Sequence, residues 1–237
     1  VEDINRDQAL ASAKVTHFRG WSARAYYLSS DKPDCQFSAK EICRWMSAPT
    51  ELGLQGLKRL ARFLAGRPRL IWHYAWQDVA HFDVYSDTDW AGCPKTRKST
   101  SGGIICIEVA AIKQLSRTQK ARALSSGEAE YYAVVTGSAE GLGAQSLATD
   151  LGWKFLCRIV FKTVSSAAKS VAGRRGLGRL RHVELKYLWF QRLPWDGHKL
   201  LIFINSFQES PVVLPIFWSL WGITSGAPEV PMTVESL

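Results

Sequence analysis

Two acidic residues raise the question of chemistry in this sequence. Asp87 lies in HFDVYSDTDWAGCPKTRKSTSGG (His81–Gly103), and Glu130 lies in LSSGEAEYYAVV (Leu124–Val135). Phe82, Val84 and Ser86 alternate with Asp83, Tyr85 and Asp87, the period of a half-buried strand, so Asp87 falls at the strand's end. Glu130 falls in the first turns of a predicted helix, two strands further along. If that helix crosses back over the sheet, its start meets the end of the Asp87 strand. Two carboxylates brought together without a cationic partner repel unless a metal ion sits between them. Mg²⁺ (or Mn²⁺) takes oxygen ligands, few of them from protein, and a pair of such ions stabilises the attacking water and leaving oxygen of a phosphodiester. Each acid also has an ordinary use. Asp87 could form a solvated turn, and Glu130 could complement a helix dipole.

The elements that would position these acids can be read from periodicity. Residues 1–17 are polar and read as irregular. FSAKEICRWMSAPT reads as a helix capped by Ser38 and broken at Pro49. ELGLQGLKRLARFLAG places Leu54, Leu57, Leu60, Phe63 and Leu64 on one stripe, which predicts an amphipathic helix closed by Gly66. RLIWHYA reads as a strand. After the Asp87 strand, GGIICIEV and AIKQLSR are strands, and a long helix runs from about Gly127 to Leu151, capped by Ser125 or Ser126. CRIVFKT is a strand, SSAAKSVAG a short helix, HVELKYLWFQRL an amphipathic helix with Val183, Tyr187 and Phe190 on one face, and KLLIFI a last strand. This order predicts an α/β fold in which residues from about Asp83 to Ile204 form a mixed five-stranded sheet flanked by helices, with Asp87 on its central strand, preceded by a small helical segment.

The 237 residues carry a formal net charge of +9, which points to a polyanionic partner, nucleic acid before membrane. Lys162, Lys169, Arg174, Arg175, Arg179, Arg181, Lys186 and Arg192 face only Glu184 in the segment between them. In GRRGLGRLRH the glycines would let the backbone approach a phosphate chain; the plainer reading is a solvated cationic loop. Lys95, Arg97 and Lys98 lie beside the acids, with Ser99, Thr100 and Ser101 as hydroxyl donors to phosphate. His182, beside Arg181, reads as a cap or backbone contact. Trp90 and Trp189 could stack on bases, but they read more simply as a packing anchor in a turn and a helix core residue. The five cysteines form no C-x-x-C pair, which predicts reduced thiols in an intracellular setting. The apolar run Pro211–Ile223 is short and holds two prolines, so no membrane span is expected.

YSDTDWAGCPKTRKSTSGG followed by LSSGEAEYYAVV resembles the ribonuclease H domain of Copia-type retrotransposon polyproteins, in which S-D-x-D-W-A-G, R-x-S-T-S-G and L-S-S-x-E-A-E-Y recur in this order. Upstream, YLSSDKPDCQFSAKEICRWMSAPT and LKRLARFLAG are similar to the segment between polymerase core and ribonuclease H. Downstream, SSAAKSVAGRRGLGRLRHVELKYLWFQ is similar to the stretch before the domain's last strand. The likeness runs from about Arg19 to Gln191. It implies a ribonuclease H-like fold, RNA–DNA hybrid as partner, the rest of a Pol polyprotein as context, and four acids holding two metal ions.

The first two acids match Asp87 and Glu130. Asp89 and Glu128 are motif positions with other expected duties, Asp89 shaping the turn with Trp90 and Gly92, Glu128 solvating the helix start. The third acid belongs to a T-D-S-S pattern, where this chain has Val164. The fourth belongs to an N-x-A-D-like segment after the last strand, where only Glu209 is near. No Tyr-x-Asp-Asp polymerase signature occurs. The expected organisation is a helical segment over 1–75, a ribonuclease H-like domain over 76–205, and a divergent tail over 206–237 that reads like translation past a frameshift. The expected function is that of a degenerate nuclease, with a non-catalytic nucleic-acid-binding remnant as the alternative.

Overall fold

The computed structural model describes residues 8–204 apart from 73, 75, 94, 109, 154–157, 175, 177, 179–182, 184 and 193–199; of 200–204 it describes the backbone. The chain divides into two compact units, one ending at Trp72 and one beginning at His73.

In the first unit, helices α1 (Ser12–Leu28), α2 (Gln36–Cys43) and α3 (Glu51–Gly66) are joined by a short 3₁₀ turn at Pro33–Cys35. Of the stretch read as irregular, residues 12–17 are thus the start of α1, which buries Phe18, Ser22 and Ala25, one narrow stripe too sparse to show in composition. Ser38 lies inside α2 and does not cap it; the preceding 3₁₀ turn feeds the helix from Cys35. Thr50 caps α3 by accepting from Gly53 N–H at 3.2 Å. Leu54, Leu57 and Leu60 are buried with Phe18, Ala39 and Ile42 in one core, which is the predicted stripe. The expected strand at Arg69–Ala75 is not formed in its described residues. Ile71 and Tyr74 stand exposed there, in a stretch that pairs with no strand among the described residues.

The second unit is mixed α/β. Strands β1 (Phe82–Asp89), β2 (Thr100–Ile107), β3 (Ala110–Thr118), β4 (Ile159–Thr163) and β5 (Leu200–Ile204) lie in the order β3-β2-β1-β4-β5. The β1–β2 and β2–β3 pairs are antiparallel; the β1–β4 and β4–β5 pairs are parallel. Helix α4 (Ser126–Asp150) packs across the sheet, α5 (Ser166–Ala172) follows β4, and Leu185–Arg192 forms a 3₁₀ helix. That last element was expected to be α-helical. Its intended face still holds, since Val183 and Phe190 are buried and Tyr187 packs against the same core.

β1 departs from its half-buried pattern. Phe82 through Ser86 are all buried, as befits a central strand with cover on both faces. The polar face is made tolerable by pairing: Lys162 Nζ donates to Asp83 Oδ2 at 2.8 Å and to Tyr85 Oη at 3.0 Å. Lys162 is therefore an internal partner rather than part of a phosphate-binding surface.

On the apolar face, α4 comes close to β1 because two of its contact residues have no side chain. A Cβ at Gly137 would sit 3.2 Å from Val84 Cγ1, and one at Gly141 2.7 Å from Val84 Cγ2. Glu130, Gly137 and Gly141 are spaced for a single face of the helix. No helix among the described residues is long and apolar enough to cross a membrane.

Gly143, on the same helix, has nothing within 4 Å of its would-be Cβ and provides an internal control. Gly143→Ala is expected to raise stability by about 0.5–1 kcal/mol through helix propensity. Gly141→Ala is expected to lower it by about 1 kcal/mol net, because β-branched Val84 cannot yield without overpacking. Urea melts of both variants measure the contrast.

Candidate active site

The last paired residues of β1 and β4 are Ser86 and Thr163. The next residue on β1 is Asp87, and the next after β4 is Val164, 42% exposed. The strand ends therefore open at one place, and α4 brings Glu130 to it. Asp87 and Glu130 are hydrogen-bonded side chain to side chain. Burial, then the charge of Asp87 and the hydrogen bond with it, pushes the Glu130 carboxyl up to about 9. Glu130 Oε2 is buried with no hydrogen-bond partner among the described residues.

The neighbouring motif acids have structural duties. Glu128, expected to solvate the helix start, is 1% exposed. Its Oε1 accepts from Tyr132 Oη at 2.6 Å and its Oε2 from Leu124 N–H at 2.9 Å, while its own N–H donates to the capping Ser125 Oγ at 3.3 Å. This is a capping box displaced by one residue, and it closes because Tyr132 lies one helical turn on. Glu128 thus fixes where α4 begins, and with it the position of Glu130.

Asp89 shapes the turn as expected. Its Oδ1 accepts from Thr100 N–H, and a Cβ at Gly92 would collide with its carboxylate. Trp90 is half-exposed rather than buried, yet its indole N–H donates to Ala123 O at 3.2 Å, tying this turn to the approach to α4. Trp189 packs against the core, edge-on to Phe190.

The loop beside the acids differs from expectation in its hydroxyls. Ser99, Thr100 and Ser101 are all buried. Ser99 Oγ accepts from Ala91 N–H at 2.9 Å, and Ser101 Oγ accepts from Gln119 Nε2 at 2.9 Å. They build the β1–β2 connection and present no surface to a phosphate. Lys95 and Arg97 are exposed and Lys98 is half-buried.

In the basic segment, Lys169, Lys186 and Arg192 are exposed and Arg174 is half-buried. The glycines there serve the chain itself. Gly178 has φ +54°, and a Cβ on it would lie 2.6 Å from Arg174 Cζ, so the guanidinium occupies the space a side chain would fill. Gln191 holds the loop from within: its Nε2 donates to Val171 O at 2.8 Å, and its Oε1 accepts from Gly176 N–H at 3.1 Å. Arg175, Arg179, Arg181, His182 and Glu209, and the tail over 206–237, lie outside the described residues.

Three contributors to this site were not singled out in the sequence: Gly137 and Gly141, which set the helix–strand distance, and Gln119. The signals were present as glycines within a helical period and a polar residue just past a strand, but neither identifies its own partner.

Two carboxylates, one of them with a buried orphan oxygen, fit one side of a divalent cation's shell, with Asp87 and Glu130 as ligands. Among the described residues no group of three or more His, Cys, Asp or Glu side chains is gathered that could complete it.

The raised Glu130 carboxyl has a consequence in the metal-free protein. Its stabilising protonated state is fully present below the ordinary carboxylate range and is lost as pH rises toward about 9. Glu130→Gln, which imitates that state, should melt with the wild type near pH 4.5 and increasingly above it as pH rises. A gap of at least about 3 °C is expected at pH 8.5, the shift that ~1 kcal/mol produces in a domain of this size. Thermal melts across that pH range measure it.

No family model matches the chain. Over 196 residues, 82% of its length, the chain is 30% identical to the retrovirus-related Pol polyprotein from transposon RE1 of Arabidopsis thaliana, of which the match covers 13%. It is 25% identical over 199 residues to the Pol polyprotein from transposon TNT 1-94 of Nicotiana tabacum, matching 84% of this chain and 15% of that one. The chain thus spans only a small part of these relatives. A secreted RxLR effector protein, number 161 of Plasmopara viticola, is 29% identical over 128 residues, 54% of this chain and 90% of that protein. Among solved structures, LC11-RNase H1, isolated from compost by a metagenomic approach, aligns at a TM-score of 0.41 and 11% identity, covering 62% of this chain and 99% of that one. The homologues of this chain are Copia-type retrotransposon Pol polyproteins, as the order of its S-D-x-D-W-A-G, R-x-S-T-S-G and E-A-E-Y motifs implied.

Proposed function

We propose that the chain is a degenerate retrotransposon ribonuclease H domain that binds RNA–DNA hybrid and cleaves its RNA strand very slowly or not at all. The observation that carries this reading is the Asp87–Glu130 pair at the open end of β1 and β4, with Val164 where a third acid would stand. The Pol polyprotein homologues support the nuclease ancestry, and the exposed Lys95, Arg97, Lys169 and Lys186 support a polyanionic partner. Asp87 and Glu130 would hold Mg²⁺ or Mn²⁺. A divalent ion so bound supplies Lewis-acid stabilisation of charge at a phosphate and acidifies a bound water. This chain's residues bring two carboxylates to that task, and with two of the four acids replaced, coordination is weak and the rate falls by orders of magnitude.

Cleavage of a labelled hybrid with Mg²⁺ or Mn²⁺, using Asp87→Asn as blank, tests the reading. The expected result is hybrid binding with cleavage at or near the blank. Robust wild-type cleavage abolished in Asp87→Asn would show that another carboxylate completes the site. Val164→Asp restores an oxygen ligand and, because Val164 is partly exposed, should cost little stability. It is expected to tighten Mn²⁺ binding by about tenfold, equivalent to ~1.4 kcal/mol, as read by calorimetry.

Binding without cleavage is the second reading, favoured by the basic segment. Changing Arg174, Arg175 and Arg179 together to Glu should weaken hybrid binding and flatten its dependence on salt, since each lost phosphate contact removes counterion release. Filter binding at several salt concentrations measures the slope, and an unchanged affinity would exclude this segment as the binding surface.

A further inference from the structure

We propose that Gln119 is a positioning residue that holds Asp87 and Glu130 at their working separation, an inference that rests on the metal-site reading of that pair. Gln119 follows β3 directly and is 7% exposed. Its backbone N–H is anchored on Ser99 O at 2.8 Å. Its side-chain Nε2 reaches three acceptors: Ala129 O at 2.8 Å, Ser101 Oγ at 2.9 Å and Thr88 Oγ1 at 3.2 Å. Thr88 is the residue after Asp87, and Ala129 is the residue before Glu130. One amide therefore ties the strand end that carries the first acid to the helix turn that carries the second.

The orientation of this amide is determined by chemistry. Ala129 O can only accept, so the nitrogen must face it. With two hydrogens for three acceptors, the long Thr88 contact shares a hydrogen. Thr88 can accept because its own hydroxyl donates to Thr100 O at 2.8 Å. Gln119 Oε1 is left buried with no hydrogen-bond partner among the described residues. A buried amide that leaves its carbonyl unsatisfied while all its donor capacity goes to the two acid-bearing elements and to β2 beside the first of them is placed for that connection. Groups that orient metal ligands from behind act on affinity by about 10–100-fold when removed.

The test compares Gln119→Met, which keeps the shape and removes the donors, with Ser101→Ala, which cuts only the arm to the strand bearing neither acid. Mn²⁺ affinity is read by electron paramagnetic resonance of free Mn²⁺, and the separation of the Asp87 and Glu130 carboxyl groups is read from crystal structures of the metal-free proteins. Gln119→Met should lose Mn²⁺ affinity by about tenfold or more. It should also widen the separation of the two carboxyl groups, whereas Ser101→Ala leaves both at wild-type values even if its melting temperature falls. Unchanged affinity and separation in Gln119→Met would overturn the proposal, as would equal changes in the two variants, the mark of a merely structural role. A wild type that binds no Mn²⁺ would overturn the metal reading alone; the separation of the two carboxyl groups would then decide for or against Gln119. Should Gln119→Met lose its cooperative melt, Thr88→Val, which cuts the arm to β1, replaces it with the same two expected results.

Discussion

The second unit depends on how near α4 can lie to β1. Gly137 and Gly141 remove the side chains that would otherwise stand between helix and strand, and Val84 fills the space they leave. A helix laid this close over the central strand carries whatever its first turns hold to the strand's end. That is the physical reason Glu130 meets Asp87, and why its carboxyl is buried enough to resist ionisation. The Ser125–Glu128–Tyr132 network then sets where the helix starts, so the close approach and the cap together determine a single position for the second acid.

The same economy governs the charged residues. A chain of formal charge +9 suggests a continuous cationic surface, but part of that charge is paired within the protein. Lys162 neutralises Asp83 beneath the sheet, and Lys113 and Arg117 share Glu140 of α4 at 2.5 and 2.6 Å. Pairing of this kind lets β1 carry an acid on a covered face, where an unpaired carboxylate would be costly. Exposed cations of the second unit include Lys95 and Arg97 on the β1–β2 loop, Lys120 and Arg122 before α4, Arg158 before β4, and Lys169, Lys186 and Arg192.

The end of β4 is shaped by equally local causes. The register of β1 and β4 runs to Ser86 opposite Thr163, one residue short of Asp87, and Ser165, just beyond β4, caps α5 by accepting from Ala168 N–H at 3.1 Å. The strand end beside Asp87 is therefore well formed, and the side chain it presents there, Val164, carries no oxygen.

Much of this was legible in order and spacing. Alternation along Phe82–Asp87, the long helical run after Ser125 and the apolar CRIVFKT stretch all report local periodicity, which a chain carries wherever it folds. The motifs likewise marked Asp87 and Glu130 before any contact was known. Tertiary structure decided the matters that depend on a distant partner. Whether Ser99 and Ser101 face solvent or close a turn, whether Lys162 meets a phosphate or Asp83, and whether Glu128 is solvated or buried each depend on segments remote in sequence. Periodicity states which side of an element a residue occupies. Only packing determines what stands opposite, because burial and pairing are properties of two surfaces, and a sequence read locally describes one.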